Sequence, residues 1–209
     1  MSSVHEDAKA FFTEAYRVGF VPWEAAGAAA AEFESSFFDR ESQAHPGSTR
    51  RALDIGCGRG GHAVTLAERG WQVTGVDYVD DAIDAARQRP GAESIDFVVG
   101  DASDLAACAQ GSFDFFFDGG CYHGLSPEER AGWGRGVQAL AAPDATLLMV
   151  AFDPWPDGKA PPNVPSGTTL DEVLDRLPGW QLTDDDLMPD AYRPVPQPAH
   201  FYRLQRTAS

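Results

Sequence analysis

The stretch "LDIGCGRGGHA", residues 53–63, decides how the chain is read. An apolar run enters four glycines within six positions, Gly56, Gly58, Gly60 and Gly61, and then passes into a helical pattern. Glycine tolerates positive φ and carries no Cβ, so such a loop lets a ligand lie against bare backbone. By letters alone, Gly56-x-Gly58-x-x-Gly61, with Asp77 21 residues past Gly56, matches the dinucleotide fingerprint. Which ligand the loop holds is then a question of charge.

Outward from this loop, strand-like and helix-like segments alternate. "RALDIG" (51–56), "WQVTGVD" (71–77), "IDFVVGD" (95–101), "FDFFFD" (113–118) and "TLLMVAFD" (146–153) read as strands. The unbroken apolar core of "FDFFFD" predicts burial on both faces, as in the middle of a parallel sheet. Helices are expected at 60–69, at "VDDAIDAARQR" (79–89), after Ser126-Pro127-x-Glu129, and at "TTLDEVLDRL", where Thr168 and Asp171 suggest the cap. Gly132, Gly134 and Gly136 weaken the third of these by ~1 kcal/mol each relative to Ala. "WQLTDDDLM" and "HFYRLQR" close the chain as strands with only "PDAYRPVPQP" (189–198) between them. Without a crossover helix, that pair is expected to be antiparallel. The fold class is α/β, a doubly wound, mostly parallel Rossmann-like sheet.

The division expected is an N-terminal helical segment over 1–50 and a main domain over 51–209, together one structural domain. "EDAKAFFTEAYRVGF" has helical spacing, with Phe12, Tyr16 and Phe20 along one side. This segment is either a helix packed on the sheet edge or a lid that shields a ligand from water.

Composition narrows the partners. With 16 basic against 32 acidic residues the formal charge is −16, there are two lysines, Lys9 and Lys159, and no basic cluster is present. A field of that sign repels phosphate backbones, which argues against a nucleic-acid substrate. No apolar run reaches the ~20 residues of a membrane span. The opening "MSSVHEDAKAFF" lacks the pattern of a signal peptide, and Cys57, Cys108 and Cys121 suit free thiols. A cytoplasmic location is expected. The oligomeric state is left open, and a monomer is compatible with everything read here.

Three acids decide between ligands. Asp54 lies two residues before Gly56, where a pyrophosphate would face a carboxylate at a cost unless a cation intervened. Asp77 suits a ribose with free hydroxyls. Asp101, in "VVGDASDL", is placed to accept an adenine amino group. Arg59 is the feature that favours phosphate, though its side chain can equally point to solvent. A ligand with adenine, ribose, no phosphate, an ammonium and a sulfonium satisfies all three carboxylates: S-adenosylmethionine.

"LDIGCGRGGHAVTLAERGWQVTGVDYVDDAIDAAR", "FVVGDASDL" and "FDFFFDGGCYHGLSPEER" together resemble the class I S-adenosylmethionine-dependent methyltransferases over roughly residues 50–152. "RVGFVPWE" and "CYHGL" are similar, more narrowly, to enzymes that methylate thiols, thiopurines and heterocyclic natural products. The resemblance implies a seven-stranded sheet with the last strand antiparallel. It implies Asp77 on the ribose, Asp101 on adenine with Ala102 beside it, and Gly56 and Gly58 against the methionine part. The candidate cofactor set is Asp54, Gly56, Cys57, Gly58, Gly60, Asp77, Tyr78, Asp101, Ala102 and Asp118, where Asp118 either holds the methionine ammonium or simply ends its strand. Two departures stand out: "APDAT" replaces the usual Pro-Gly-Gly-like turn, and "DGGC" lacks the Asn/Asp-Pro-Pro-aromatic signature of many nucleic-acid and protein amino methylases.

Methyl transfer from a sulfonium is an in-line displacement that rests mainly on holding donor and acceptor together. His123, just past the fourth strand, is the candidate base, with a purely pocket-shaping role as the alternative. Tyr122 either orients an acceptor or packs in the core. Phe20, Trp23, Trp155 and Tyr192 are the candidate acceptor wall, each equally able to serve as a loop anchor. His62 opens a helix and reads as helix surface. No metal site is expected, because Cys57, His62, Cys121 and His123 lack a usual zinc spacing. The function expected is transfer of a methyl group to S, O or N of a small aromatic or heterocyclic molecule, a thiol favoured. The alternatives are an S-adenosylmethionine-binding protein without turnover and a nicotinamide-dependent oxidoreductase.

Overall fold

The computed structural model describes residues 4–46, 50–161, 164 and 166–207, with side chains described within them except at 4–8 and 27–29. Among these residues seven strands form one sheet: β1 (Arg51–Ile55), β2 (Gln72–Asp77), β3 (Asp96–Val99), β4 (Phe113–Asp118), β5 (Ala141–Phe152), β6 (Trp180–Leu187) and β7 (Ala199–Arg206). Their order is β3-β2-β1-β4-β5-β7-β6. The pairs from β3 through β5 are parallel, and β7 runs antiparallel to both β5 and β6. The doubly wound sheet with its antiparallel last strand is the architecture expected. Strand order reverses at β1 and β4, and the crevice outside their carboxyl ends is where such sheets bind ligands.

The aromatic strand β4 lies at the centre, covered by apolar layers on both faces, with Phe115, Phe116 and Phe117 alternating between them and Phe113 set before the register shift. Phe113 and Phe116 pack with Tyr122, Trp133 and Trp180 on one face. Phe115 and Phe117 pack with Phe38, Trp71 and Phe201 on the other. The "APDAT" departure is absorbed structurally. Phe113 pairs with Ala141 but Phe115 with Thr146, so the extra residues bulge out of the β4–β5 ladder.

Helices α3 (Gly61–Glu68), α4 (Asp80–Arg87), α5 (Leu105–Cys108), α6 (Pro127–Leu140) and α7 (Leu170–Arg176) connect the strands. Ser126 and Glu129 form the expected capping box of α6. The α7 cap is Thr169, whose hydroxyl accepts the Glu172 N–H; the sequence pattern had placed it one residue early, at Thr168.

Before the sheet come α1 (Val4–Val18) and α2 (Pro22–Ala44). Helix α2 is built into a helical layer: Phe37 stacks on Phe201 at 4.9 Å and Phe38 meets Phe117 edge-on at 5.1 Å. Its buried Glu41 pairs with Arg203 and accepts from the Thr146 hydroxyl at 2.7 Å. Helix α1 stops at Val18, before Gly19 with φ +76°. Phe20 therefore lies beyond the helix, 59% exposed, and does not share a face with Phe12 and Tyr16.

The glycines of α6 have a steric reason that propensity misses. A Cβ at Gly132 would overlap the Ser103 carbonyl oxygen, and one at Gly136 would lie 2.8 Å from Leu105 Cβ. Propensity alone makes Gly132→Ala stabilising by ~1 kcal/mol. The clash with backbone reverses the sign, and a net loss of ~1–3 kcal/mol is expected in urea denaturation. A stabilised variant would refute the close packing of α6 on the Asp101–Ser103 turn.

Candidate functional site

The glycine loop leaves β1 through three left-handed residues, Gly56, Gly58 and Gly60, with φ of +69°, +51° and +73°. The Gly56 and Cys57 N–H groups donate to the Val76 carbonyl, which ties the loop to β2. A side chain at Gly56 would lie 2.5 Å from Cys121 Cβ, so the loops after β1 and β4 touch.

Four carboxylates ring this contact. Asp77, at the end of β2, accepts the Gly58 and Val79 N–H groups at 2.9 Å each. Burial raises its pKa, while those amides oppose the rise. Asp101 accepts the Ser103 N–H and hydroxyl at 2.9 and 2.7 Å and pairs with Lys9. Burial works against its charge, but Lys9 and Ser103 outweigh that and hold its pKa below the usual range. Asp118 is fully buried and accepts from the Gly120 and Tyr122 N–H groups and from Trp133 Nε1 at 2.9, 3.2 and 3.1 Å. Burial pushes it up to about 6 against these donors. Its carboxylate thus bonds within the 119–124 turn and to α6.

Asp54 differs from the others. It is 1% exposed, and its Oδ2 has no hydrogen-bond partner. Burial pushes its pKa to about 7; His62 pulls it down, Asp118 and Asp77 push it up, and the Ala63 N–H steadies the charged form. The thiol of Cys121 lies in the field of all four acids, which together with burial raises its pKa. Cys57 is also buried with a raised pKa, so neither thiol is activated as a nucleophile. Ala102 is buried in the core beside Asp101, and Tyr78 lies beneath Lys9, whose Nζ is 5.5 Å from the ring centroid.

Helix α1 crosses these strand ends. Lys9 reaches Asp101, Phe12 lies against Gly124, and the Tyr16 hydroxyl sits where a Gly58 Cβ would be. Trp23 Nε1 donates to that hydroxyl at 3.1 Å, and its ring meets Phe12 edge-on at 5.2 Å. Arg59 turns to this cover, 3.4 Å from Glu24 and 5.4 Å from the centroid of the Tyr16 ring. The one cation of the loop is thereby paired with a carboxylate. A surface hollow of about 490 Å³ between the 103–106 segment and α6 contains none of Asp54, Asp77, Asp101 and Asp118.

Tyr122 is fully buried against Trp133 at 4.9 Å, with Arg130 4.6 Å from its ring centroid, and belongs to the core. His123 is 7% exposed. Its Nε2 takes the Phe152 N–H at 3.1 Å and lies 3.2 Å from the Val150 carbonyl, while Nδ1 has no hydrogen-bond partner. Burial, aided by Arg130, lowers its pKa to about 4. Trp155 is partly buried in the loop after β5, and Tyr192 packs on Phe33 of α2 at 6.2 Å. The four candidate wall aromatics thus come from separate contacts, with Trp23 beside the glycine loop and Phe20 open to solvent.

Sequence reasoning placed Tyr16 on the aromatic side of the N-terminal helix but missed Lys9, and it read His62 as plain helix surface. That imidazole is 3.0 Å from Glu34 and 4.7 Å, centroid to centroid, from Phe117, because α2 lies over the start of α3. A signal was available: Glu34 and Glu41 lie seven residues apart, on the same helix face as the aromatic residues of "FESSFF".

Residues 52–151 match a family model described as a methyltransferase domain. A 2-heptyl-1-hydroxyquinolin-4(1H)-one methyltransferase of Mycobacteroides abscessus is 32% identical over 145 residues, 66% of this chain and 60% of the relative. Thiocyanate methyltransferase 1 of Arabidopsis thaliana is 30% identical over 59% of this chain and 56% of its own length. The chain thus spans less than two thirds of these relatives. Among solved structures, the Burkholderia thailandensis 1,6-didemethyltoxoflavin-N1-methyltransferase, with bound 1,6-didemethyltoxoflavin and S-adenosylhomocysteine, superposes with a TM-score of 0.67 at 21% identity, covering 99% of this chain and 92% of that one. Residues 52–151 thus carry a methyltransferase domain, built on a sheet whose fold the toxoflavin N1-methyltransferase shares.

Proposed function

We propose that the chain moves a methyl group from S-adenosylmethionine to a small aromatic or heterocyclic acceptor, with a thiol as the favoured nucleophile. The observation that carries the donor assignment is Asp54: a buried carboxylate oxygen without a partner, at a strand end crowded by other acids. A diphosphate here would face those carboxylates, whereas a cation would be attracted by about 4 kcal/mol at 4 Å and an effective dielectric of ~20. In this reading Asp54 faces the donor's ammonium, Asp77 the ribose hydroxyls and Asp101 the adenine, against the bare backbone of Gly56 and Gly58. The bound donor supplies an activated methyl on a sulfonium. Gly60, Cys57, Tyr78 and Ala102 shape the walls, and Asp118 holds the 119–124 turn through its own hydrogen bonds.

His123 fits a positioning role better than that of a strong base. With a pKa of about 4 it is neutral at neutral pH, and a base so weak does little for a phenol. Its free Nδ1 suits a hydrogen bond to an acceptor that ionises by itself, as an acidic thiol does. The names of the two curated relatives, which specify a hydroxyquinolone and thiocyanate, support a small acceptor. Helix α1 acts in this reading as a cover, with its Lys9, Phe12 and Tyr16 released from the strand ends when ligands enter. Trp23 and Trp155 supply apolar wall; Phe20 and Tyr192 serve the cover and α2.

The test is direct. Titration with S-adenosylmethionine should show saturable binding, with NAD showing none, and a panel of aromatic thiols, phenols and heterocycles should show label transfer from the donor, fastest to thiols. Tight donor binding without transfer to any acceptor would make the chain a binding protein. His123→Ala is expected to raise the KM for an aromatic thiol about tenfold, the worth of one buried hydrogen bond, and to leave the pH profile of kcat unchanged. A vanished acidic limb in that profile would restore His123 as the base.

A further inference from the structure

We propose that His62, clamped by Glu34 of α2, is a positioning residue for donor binding: it sets a positive charge beside the partnerless Asp54 carboxylate, against the acids that crowd it. The inference rests on reading Asp54 as the group that faces the donor's ammonium.

The placement is specific. His62 opens α3 directly after the glycine loop, and the next residue, Ala63, gives its N–H to Asp54. The imidazole packs between Phe117, the ladder partner of Asp54 on β4, and Phe38 of α2. A side chain at Gly119, in the turn after β4, would lie 3.8 Å from His62 Cε1. The ring therefore borders both the donor carboxylate and the turn where the acceptor is expected.

Glu34 is 4% exposed and 3.0 Å from His62 Nε2, so a buried carboxylate has this imidazole as its counter-charge. A buried acid without a partner is costly, and the His62 ring, 32% exposed, meets Glu34 as a hydrogen-bond donor and most strongly as an imidazolium. Burial works against the imidazolium, but Glu34 outweighs burial and Asp54 adds to the pull, so the His62 pKa is raised; Arg89 opposes from the loop after α4. Around Asp54, Asp118 of β4 and Asp77 of β2 oppose its charge, and the thiols of Cys57 and Cys121 also lie in its field. The His62 imidazolium and the Ala63 N–H favour the charged form of Asp54. The middle of α2 thus acts on the donor site through Glu34 and the imidazolium.

The probe is S-adenosylhomocysteine, which carries the ammonium and does not react. By calorimetry from about pH 6 to about pH 8, His62→Gln is expected to bind it about tenfold more weakly near neutrality, with a deficit that shrinks as pH rises and Asp54 ionises unaided. Glu34→Gln should give the same trend with a smaller deficit. A merely structural role would give a deficit independent of pH, and that result, or no deficit, overturns the proposal. In wild-type protein, NMR of labelled histidine should show the His62 titration midpoint falling when S-adenosylhomocysteine binds, because the ammonium then shares the Asp54 charge. An unmoved midpoint overturns the proposal even if the variants fail to fold. Asp54→Asn separates the two levels: weakened binding in Asp54→Asn beside wild-type behaviour in His62→Gln refutes the role of His62 alone, whereas unchanged binding in Asp54→Asn refutes the reading of Asp54 as well.

Discussion

Asp77→Ala is expected to weaken S-adenosylmethionine binding roughly 10- to 100-fold, matching the ~1.5–3 kcal/mol of hydrogen bonds to a charged group. The two carboxylate oxygens already accept the Gly58 and Val79 N–H groups. Each oxygen has a second lone pair, so the residue can hold the loop and two ribose hydroxyls together. Truncation removes both functions and leaves two buried donors unpaired, at ~1–3 kcal/mol of folding stability each. Asp77→Asn keeps one acceptor oxygen and should lie between wild type and alanine in both measurements. Calorimetric titration at a temperature where all three remain folded separates affinity from stability. Wild-type affinity in the alanine variant would remove Asp77 from the donor site.

The fold was legible because its determinants are local and repetitive. Alternation of strand and helix signals, one aromatic strand buried on both faces, and a final pair without a crossover helix suffice for the sheet and its antiparallel end. What escaped was contact information. Whether glycines in α6 weaken a helix or admit a neighbouring carbonyl depends on what packs beside them, and Ser103 is 29 residues from Gly132. The end of α1 at Gly19 is a backbone event, and it carried Phe20 off the face that its spacing with Tyr16 implied.

The candidate site divides along the same line. Asp54, Asp77 and Asp101 were placed by strand ends and loop spacing, which the chain announces within a few residues. Lys9, Tyr16 and Glu34 come from helices whose docking is set by tertiary packing, and an acid such as Glu34 on a polar-looking helix gives no sign of burial by itself. His62 looked like surface because α3 was read without its cover. Its role depends on α2, 28 residues upstream.

The unliganded protein should lose stability as pH rises, against the usual trend for carboxylates. Burial lifts Asp54 from 3.8 to about 7, so its contribution is fully present below its ordinary pKa and is lost as pH rises through about 7. Asp118, raised to about 6, acts in the same direction a unit lower. His123 acts oppositely: its pKa falls from 6.5 to about 4, so folding gains from it as pH rises between those values. Comparing wild type with Asp54→Asn cancels His123, which does not share Asp54's field, and leaves Asp54 with the groups coupled to it, Asp118 and His62. The two proteins' difference in unfolding free energy, from urea denaturation, should drift by on the order of 3 kcal/mol from about pH 5 to about pH 8, at ~1.4 kcal/mol per unit of differential titration. The drift should favour Asp54→Asn at the alkaline end. Binding of a ligand with an ammonium reverses the sign, because the charged carboxylate then has a partner, and the melting-temperature gain from S-adenosylhomocysteine should grow over the same interval. A flat difference curve, or a ligand-induced gain that shrinks with pH, would mean that Asp54 is not the buried, cation-seeking acid on which the donor assignment stands.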